Sequence, residues 1–193
     1  MSNPVAIILA AGQGSRFRAG AGFDQDKLLA LCCGLTGDER PVLEHVLMNL
    51  GNRLGRRLVI TRPRNTTVIA MARAYGCEVL LLDSTGMGDS LAAAVTASAD
   101  ASGWLVMLGD MPFIASATLD AVINAMTEES IAVATGEAGY GHPVGFGRGF
   151  GVSLQALQGD QGARRLFNTE RVTEVPVMDP GIYRDIDVPA HLI

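Results

Sequence analysis

The sequence predicts an α/β fold, a mostly parallel sheet with helices on both faces. Two observations carry this prediction. Short apolar runs recur at residues 5–9, 58–61, 78–82 and 104–108, and the first has no room for a polar face, as expected of a strand buried on both sides. Segments with helical punctuation separate these runs, and a strand–helix–strand–helix order argues a parallel sheet with helices packed on both faces.

The first run ends in small residues and then Gly12 and Gly14. Small residues let backbone N–H groups approach an anion, because no Cβ intervenes. Arg16 and Lys27 add two positive charges above that cradle. The design suits a nucleoside triphosphate, although an ordinary strand-to-loop turn with exposed arginines has the same spacing. Of the 15 Lys and Arg residues, Lys27 is the only lysine. A compact ammonium on a flexible stem differs from a guanidinium where a point charge must follow a moving phosphate.

Residues 41–50 read as a helix, with Pro41 in its first turn and Val42, Val46, Leu47 and Leu50 on one face. Gly51 and Gly55 break it. A helix over residues 65–75 follows the second strand, with Asn65 as N-cap and Gly76 beyond its end. The third strand leads through Gly86-Met87-Gly88-Asp89-Ser90 into an alanine-rich helix that reaches about Ala99. The fourth ends at Gly109-Asp110-Met111-Pro112, and Ser116 caps a helix through Met126. In the last third, strands at residues 131–135 and 144–146 flank a glycine-rich stretch, 136–143. Helices follow at 149–157 and 162–168, with short strands at 173–177 and 183–186.

The bulk numbers exclude some classes. The chain has 193 residues, 48% of them hydrophobic and 18% charged, with a formal net charge of -5. That describes a globular protein with no general pull toward nucleic acid or anionic lipid. No apolar run is long enough to span a bilayer, and no basic segment precedes an apolar one at the N-terminus, so no membrane association is expected. Cys32, Cys33 and Cys77 make an odd count with no Cys-x-x-Cys spacing, which fits a reducing cytoplasm.

Ligands of parallel sheets bind at the carboxyl ends of strands, near the point where strand order reverses. Three polar groups fall at such ends: the Gly12 loop, the turn from Gly86 to Ser90, and Asp110. Asp110 is placed to hold Mg²⁺ between nucleotide phosphates, or to shape the turn before the next helix. Ser90 either caps a helix or bonds a base or phosphate at the helix N-terminus. In Asp185-Ile186-Asp187, strand alternation sends both aspartates to one face. They complete a divalent-metal site beside Asp110, or lie on a solvated edge strand. His142, in Gly141-His142-Pro143, has a near-neutral titration suited to phosphate contact or proton transfer, or is a surface residue. His45 and His191 read as structural. A hydride-transfer enzyme is disfavoured: it wants glycine where Phe17 stands and an acidic residue where Thr61 stands.

The sequence resembles the MobA-like nucleotidyltransferases, and within them the molybdenum cofactor cytidylyltransferase branch. The matching stretches are Leu9-Ala10-Ala11-Gly12-Gln13-Gly14-Ser15-Arg16, Lys27, Gly86-Met87-Gly88-Asp89-Ser90-Leu91, Leu108-Gly109-Asp110-Met111-Pro112, Gly141-His142-Pro143-Val144, the run from Leu157 to Arg164, and Asp185-Ile186-Asp187-Val188-Pro189. They run in family order nearly end to end. The resemblance implies a Rossmann-like three-layer α/β/α sandwich of the nucleotide-diphospho-sugar transferase type, in one domain of residues 1–193. Its nucleotide-binding half is about 1–112 and its acceptor-side half about 113–193.

It further implies transfer of CMP from CTP to molybdopterin cofactor, with Mg²⁺, or Mn²⁺ in its place, as cofactor. Arg16, Lys27 and Asp110 are the implied catalytic residues. Leu9, Ala10, Ala11, Gly12, Gly14, Ser15, Gly86 and Ser90 join them in nucleotide binding. Asp110 and Asp187 bind metal, and His142, Asp160 and Arg164 face the acceptor. A molybdenum hydroxylase or its chaperone is the implied protein partner. Family members that use GTP carry glycine where this chain has Ala11. The alternatives are a guanylyltransferase on the same cofactor, a sugar- or isoprenoid-phosphate cytidylyltransferase, and a non-catalytic cofactor-delivery factor. The stretches between Arg16 and Lys27 and from Cys32 to Arg40 are longer than the family pattern.

Overall fold

The computed structural model describes residues 3–21, 26–84, 86–168 and 171–192. The elements in chain order are β1 (Val5–Leu9), α1 (Ser15–Ala21), β2 (Leu31–Cys33), β3 (Glu39–Pro41), α2 (Val42–Leu50), β4 (Arg56–Thr61), α3 (Thr66–Ala74), β5 (Glu78–Leu81), α4 (Met87–Ala97), β6 (Gly103–Leu108), α5 (Ser116–Ala125), β7 (Ile131–Gly136), β8 (Gly139–Gly147), α6 (Gly151–Gln155) and β9 (Val172–Pro176). Seven strands form one sheet in the order β5-β4-β1-β6-β8-β7-β9, and β2 and β3 pair separately as a hairpin. All neighbours in the main sheet are parallel except β8, which runs antiparallel to β6 and β7.

Alternation along the strands loads both faces with apolar side chains. In β1, Ala6 and Ile8 pack with Leu43 and Leu47 of α2, Val68 of α3 and Leu119 of α5. Val5 and Ile7 point the other way, toward Leu91 and Val95 of α4 and Leu154 of α6. Helices α2, α3 and α5 therefore cover one face and α4 and α6 the other, which makes three α/β/α layers. The period of two, with both faces buried, explains why these strands read as unbroken apolar runs.

The structure differs from the expectation in four places. The stretch after Gly14 contains a helix, α1. Its sequence buries one large side chain, Phe17, and so has no helical stripe to read. Residues 22–25 of that stretch lie outside the described residues. The glycine-rich segment after β7 is no loop: β7 and β8 continue to pair through Gly136 and Gly139. Residues 183–186 are not a strand, and the run from Pro180 to Tyr183 is a 3₁₀ turn with Asp179 as its N-cap. Ser116 does not cap α5. The N-cap is Ala115, and the capping oxygen is Oδ2 of Asp179, which accepts bonds from Ala115 N at 2.8 Å and from Thr118 Oγ1 at 2.6 Å.

Strand order reverses between β1 and β6, which lie side by side while their connections leave in opposite directions. Gly109 sits at this seam, its N–H bonded to Leu9 O at 2.9 Å. A Cβ on Gly109 would lie 3.1 Å from Leu9 O, so glycine lets the two strand ends stay in register and deliver Asp110 beside the β1 loop.

Candidate functional site

A cleft of about 650 Å³ opens at the carboxyl ends of β1 and β6. It is lined by Leu9, Ala10, Ala11, Gly12, Gly14, Ser15, Arg16, Lys27, Gly86, Ser90 and Asp110, with Asp160, Asp185 and Asp187 at its edges. A Cβ on Gly12 would meet nothing within 4 Å, so the backbone there faces open space. A second cavity of about 330 Å³ adjoins the first, with Leu9, Met87, Leu108 and Asp185 lining both. Its walls are largely apolar and aromatic, including Tyr140, Phe146 and Phe167, and it holds His142 and Arg164. Asp160, expected beside those two, lies on the larger cleft instead.

The charged centre is compact. Lys27 Nζ lies 2.5 Å from Asp110 Oδ2 and 3.5 Å from Asp187 Oδ1, and Arg16 Nη1 donates to Asp187 Oδ2 at 2.9 Å. Burial alone would lower the pKa of Lys27, but Asp110 first and Asp187 second outweigh it and hold the ammonium above its usual value. Burial would likewise raise Asp187, but the Arg16 bond and the Lys27 charge hold it below the usual carboxylate range. Lys27 is 13% exposed at its side chain and Arg16 80%. The Lys27 pairs are therefore poorly screened, while the Arg16 pair contributes little to stability. Asp110, Asp185 and Asp187 can each turn an oxygen to within 4.8 Å of the others. Three convergent carboxylates suit a hard divalent cation, and the Lys27 ammonium stands among them as an internal counter-ion.

An apolar cluster beneath the charges holds them together. Phe17, Ala30, Cys32, Val42, Phe113 and Ile186 are buried against one another. Phe17 follows Arg16, Ile186 separates Asp185 from Asp187, and Ala30 closes the 3₁₀ turn that Lys27 opens. Ile186 N also donates to Asp110 O at 2.9 Å, so the acidic pair is pinned beside Asp110 without a strand. The sequence argument placed both aspartates on one side through strand alternation. The structure achieves it with one buried isoleucine and one backbone bond. The stretch from Cys32 to Arg40 belongs to the same arrangement: the β2–β3 hairpin supplies Cys32 to the cluster.

One expected property changes. His142 is not a near-neutral titrating group. Burial pushes its pKa down to about 4, against the raising effects of a Val106 backbone bond and the Asp185 charge. Its Nδ1 is buried without a hydrogen-bond partner, so at neutral pH it is an uncharged imidazole. Ser90 is buried, and its hydroxyl lies 2.7 Å from Ser84 Oγ and 3.3 Å from Gly86 O. Its Oγ is engaged inside the helix entrance.

Sequence reasoning missed Arg62, whose Nε donates to Ala11 O at 2.7 Å and whose Nη2 reaches Ser84 O at 3.4 Å. It ties the β1 loop to the loop before α4. Its position one residue past the second strand was the available signal. Asp185 joins the acidic group, and its spacing of two from Asp187 marked it.

Residues 6–175 match the model of the MobA-like NTP transferase domain. Among curated proteins, the bifunctional protein GlmU of Bacillus mycoides is 30% identical over 153 residues, covering 77% of this chain and 31% of that protein. The chain thus spans about a third of the length of such relatives. Among solved structures, Rv0371c from Mycobacterium tuberculosis is 25% identical with a TM-score of 0.80, covering 98% of this chain and 96% of that one. The same protein has been solved in complex with manganese, with a TM-score of 0.77 at 25% identity and the same coverage of both chains. A nucleotidyl transferase from Methanothermobacter shares the fold at 22% identity, with a TM-score of 0.81 over 98% of this chain and 94% of that one.

Proposed function

We propose, since the chain belongs to the MobA-like NTP transferase domain family, that it transfers a nucleotidyl group from a nucleoside triphosphate to a phosphorylated acceptor. The finer reading is transfer of CMP from CTP to molybdopterin cofactor in the cytoplasm, with release of pyrophosphate and delivery onward to a molybdenum hydroxylase or its chaperone. The observation that carries the proposal is the charged centre of Lys27, Asp110, Asp185 and Asp187 on the larger cleft, where Asp185 also lines the adjoining cavity and marks the seam between the two. A reaction between two bound substrates needs such a seam.

The triphosphate occupies the larger cleft, where the open backbone at Gly12 leaves room for close approach. The acceptor occupies the smaller cavity. Its aromatic walls suit a flat ring system, and Arg164 offers a cation to the acceptor's phosphate. The acceptor phosphate oxygen attacks the α-phosphorus in line; the new P–O bond forms as the bond to pyrophosphate breaks. An ionised phosphate nucleophile needs no protein base, which agrees with a neutral His142. Lys27 and Arg16 neutralise charge on the phosphates, and positioning supplies most of the rest. Asp110, Asp185 and Asp187 would hold a divalent cation, and the manganese complex of a relative supports that use. When bound, Mg²⁺ or Mn²⁺ would supply charge neutralisation at the phosphate oxygens.

The test is pyrophosphate release across CTP, GTP, UTP and ATP, with and without molybdopterin cofactor. Release that requires both CTP and the cofactor is the expected result. Release with any nucleotide in the absence of acceptor, or with a sugar phosphate in its place, would move the chain to another reaction.

A further inference from the structure

The two cavities are divided by a short turn at residues 158–161. Gly159 takes φ +56°, and Gln161 N bonds back to Gln158 O at 3.1 Å. The first turn of α4 grips the Gly159 residue at both its backbone groups. Gly159 N donates to Asp89 Oδ1 at 2.8 Å, and Gly159 O accepts from Gly88 N at 2.8 Å. The fit is tight because Gly86 and Gly88 carry no side chains. A Cβ on Gly86 would lie 2.2 Å from Gly159 C, and one on Gly88 would lie 2.6 Å from Gln161 O. These glycines therefore face the turn. The turn sends Asp160 to the larger cleft and continues into Arg164 of the smaller cavity.

We propose that Asp89 is a positioning residue for acceptor specificity: through a hydrogen bond to Gly159 N–H it seats the turn from which the chain runs on into Gly162, Ala163 and Arg164 of the smaller cavity. The naming of the two cavities rests on the proposed function; the seat itself rests on the distances above. Asp89 Oδ1 accepts the Gly159 N–H bond, a role that an amide oxygen can also fill. The larger cleft keeps its β1 loop, Arg16 and Lys27 and meets the turn through Asp160 alone, so nucleotide affinity changes less.

The test compares Asp89→Ala with Asp89→Asn in the full chain. One arm is amide hydrogen exchange of residues 157–162. The other is KM for molybdopterin cofactor against KM for CTP. The alanine variant is expected to exchange roughly tenfold faster across the turn and to raise the acceptor KM roughly fivefold to tenfold, as loss of one partly buried hydrogen bond does. Its CTP KM stays within about twofold of the parent's. The asparagine variant, which keeps an oxygen for Gly159 N–H, restores both readouts. Unchanged exchange in the alanine variant overturns the seat. An asparagine variant as impaired as alanine overturns the hydrogen-bond role in favour of charge, and an equal rise in CTP KM overturns the acceptor assignment. A parent protein that ignores molybdopterin defeats the proposed function instead, and the exchange arm then decides the seat alone.

Discussion

Lys27 occupies the space between the carboxylates that a divalent ion would share. Removing it leaves Asp110 and Asp187 without their internal counter-ion, so metal affinity without nucleotide should rise. For Lys27→Met the expected gain in Mn²⁺ affinity is about tenfold, read by electron paramagnetic resonance or calorimetry, as loss of a nearby like charge implies. On the proposed function turnover should fall in the same variant, because the ammonium that would neutralise the phosphates is gone. Unchanged Mn²⁺ affinity would show that Lys27 and the ion do not compete. His142 gives a second prediction at this scale. Its folded pKa of about 4 lies below the ordinary value of 6.5, so the unfolded chain binds a proton first as pH falls. Its contribution to stability is complete above about pH 6.5 and is lost as pH falls from there toward 4, at a slope of at most ~1.4 kcal/mol per pH unit. His142→Asn should flatten the stability profile in that window relative to the parent, as denaturant titrations at pH 7, 6, 5 and 4.5 would read. Parallel profiles for the two proteins would mean that the imidazole is not buried neutral. Ala11 reads differently in the structure than in the sequence. The residue is 3% exposed and packs in the cluster beneath α4, so it presents little surface to a base. Ala11→Gly should therefore change the CTP-to-GTP ratio of kcat/KM by less than about tenfold. A complete switch to GTP would make that methyl the selector.

Elements deliver these residues, and some of the delivery was legible in advance. Strands β1, β4, β5 and β6 announce themselves as short apolar runs because both their faces are buried. Helices α2, α3 and α4 could be read from glycines and apolar spacing at their ends. Helix α1 could not, since Phe17 is its only buried side chain. The segment after β9 was misread for a related reason: Asp185, Ile186 and Asp187 alternate as a strand would, yet no neighbouring strand pairs with them in the sheet. Their placement depends on a tertiary contact, Ile186 against Phe17 and Phe113, which no local pattern encodes. The cap of α5 is likewise remote, because Asp179 lies 64 residues from Ala115. Asp179→Ala removes the acceptor for Ala115 N and Thr118 Oγ1 together and also frees Gly181 N. It should cost about 2 kcal/mol of stability, at the upper end of helix-cap losses, measured by urea denaturation. A loss below a few tenths of a kcal/mol would mean that solvent replaces those bonds.

At the scale of the molecule, the reversal of strand order between β1 and β6 locates the site, and β8 with the segment after α6 walls the second cavity. The larger cleft could be located from the sequence because the Gly12 loop and Asp110 sit at strand ends. The smaller cavity could not be separated from it as cleanly. Asp160 and Arg164 are four residues apart yet line different cavities, because the turn docked on α4 divides them. The same geometry makes the central claim specific: one substrate on each side of Asp185, which lines both cavities, with the α-phosphorus between. The most direct measurement uses CTP labelled at either the α- or the γ-phosphorus, incubated with molybdopterin cofactor and Mg²⁺. The account predicts that α-label appears in the acceptor product, γ-label appears only in pyrophosphate, and Asp110→Asn lowers both by a hundredfold or more, on the order of the loss of a transition-state electrostatic group. Transfer of γ-label to the acceptor, or full α-label transfer by Asp110→Asn, would contradict it.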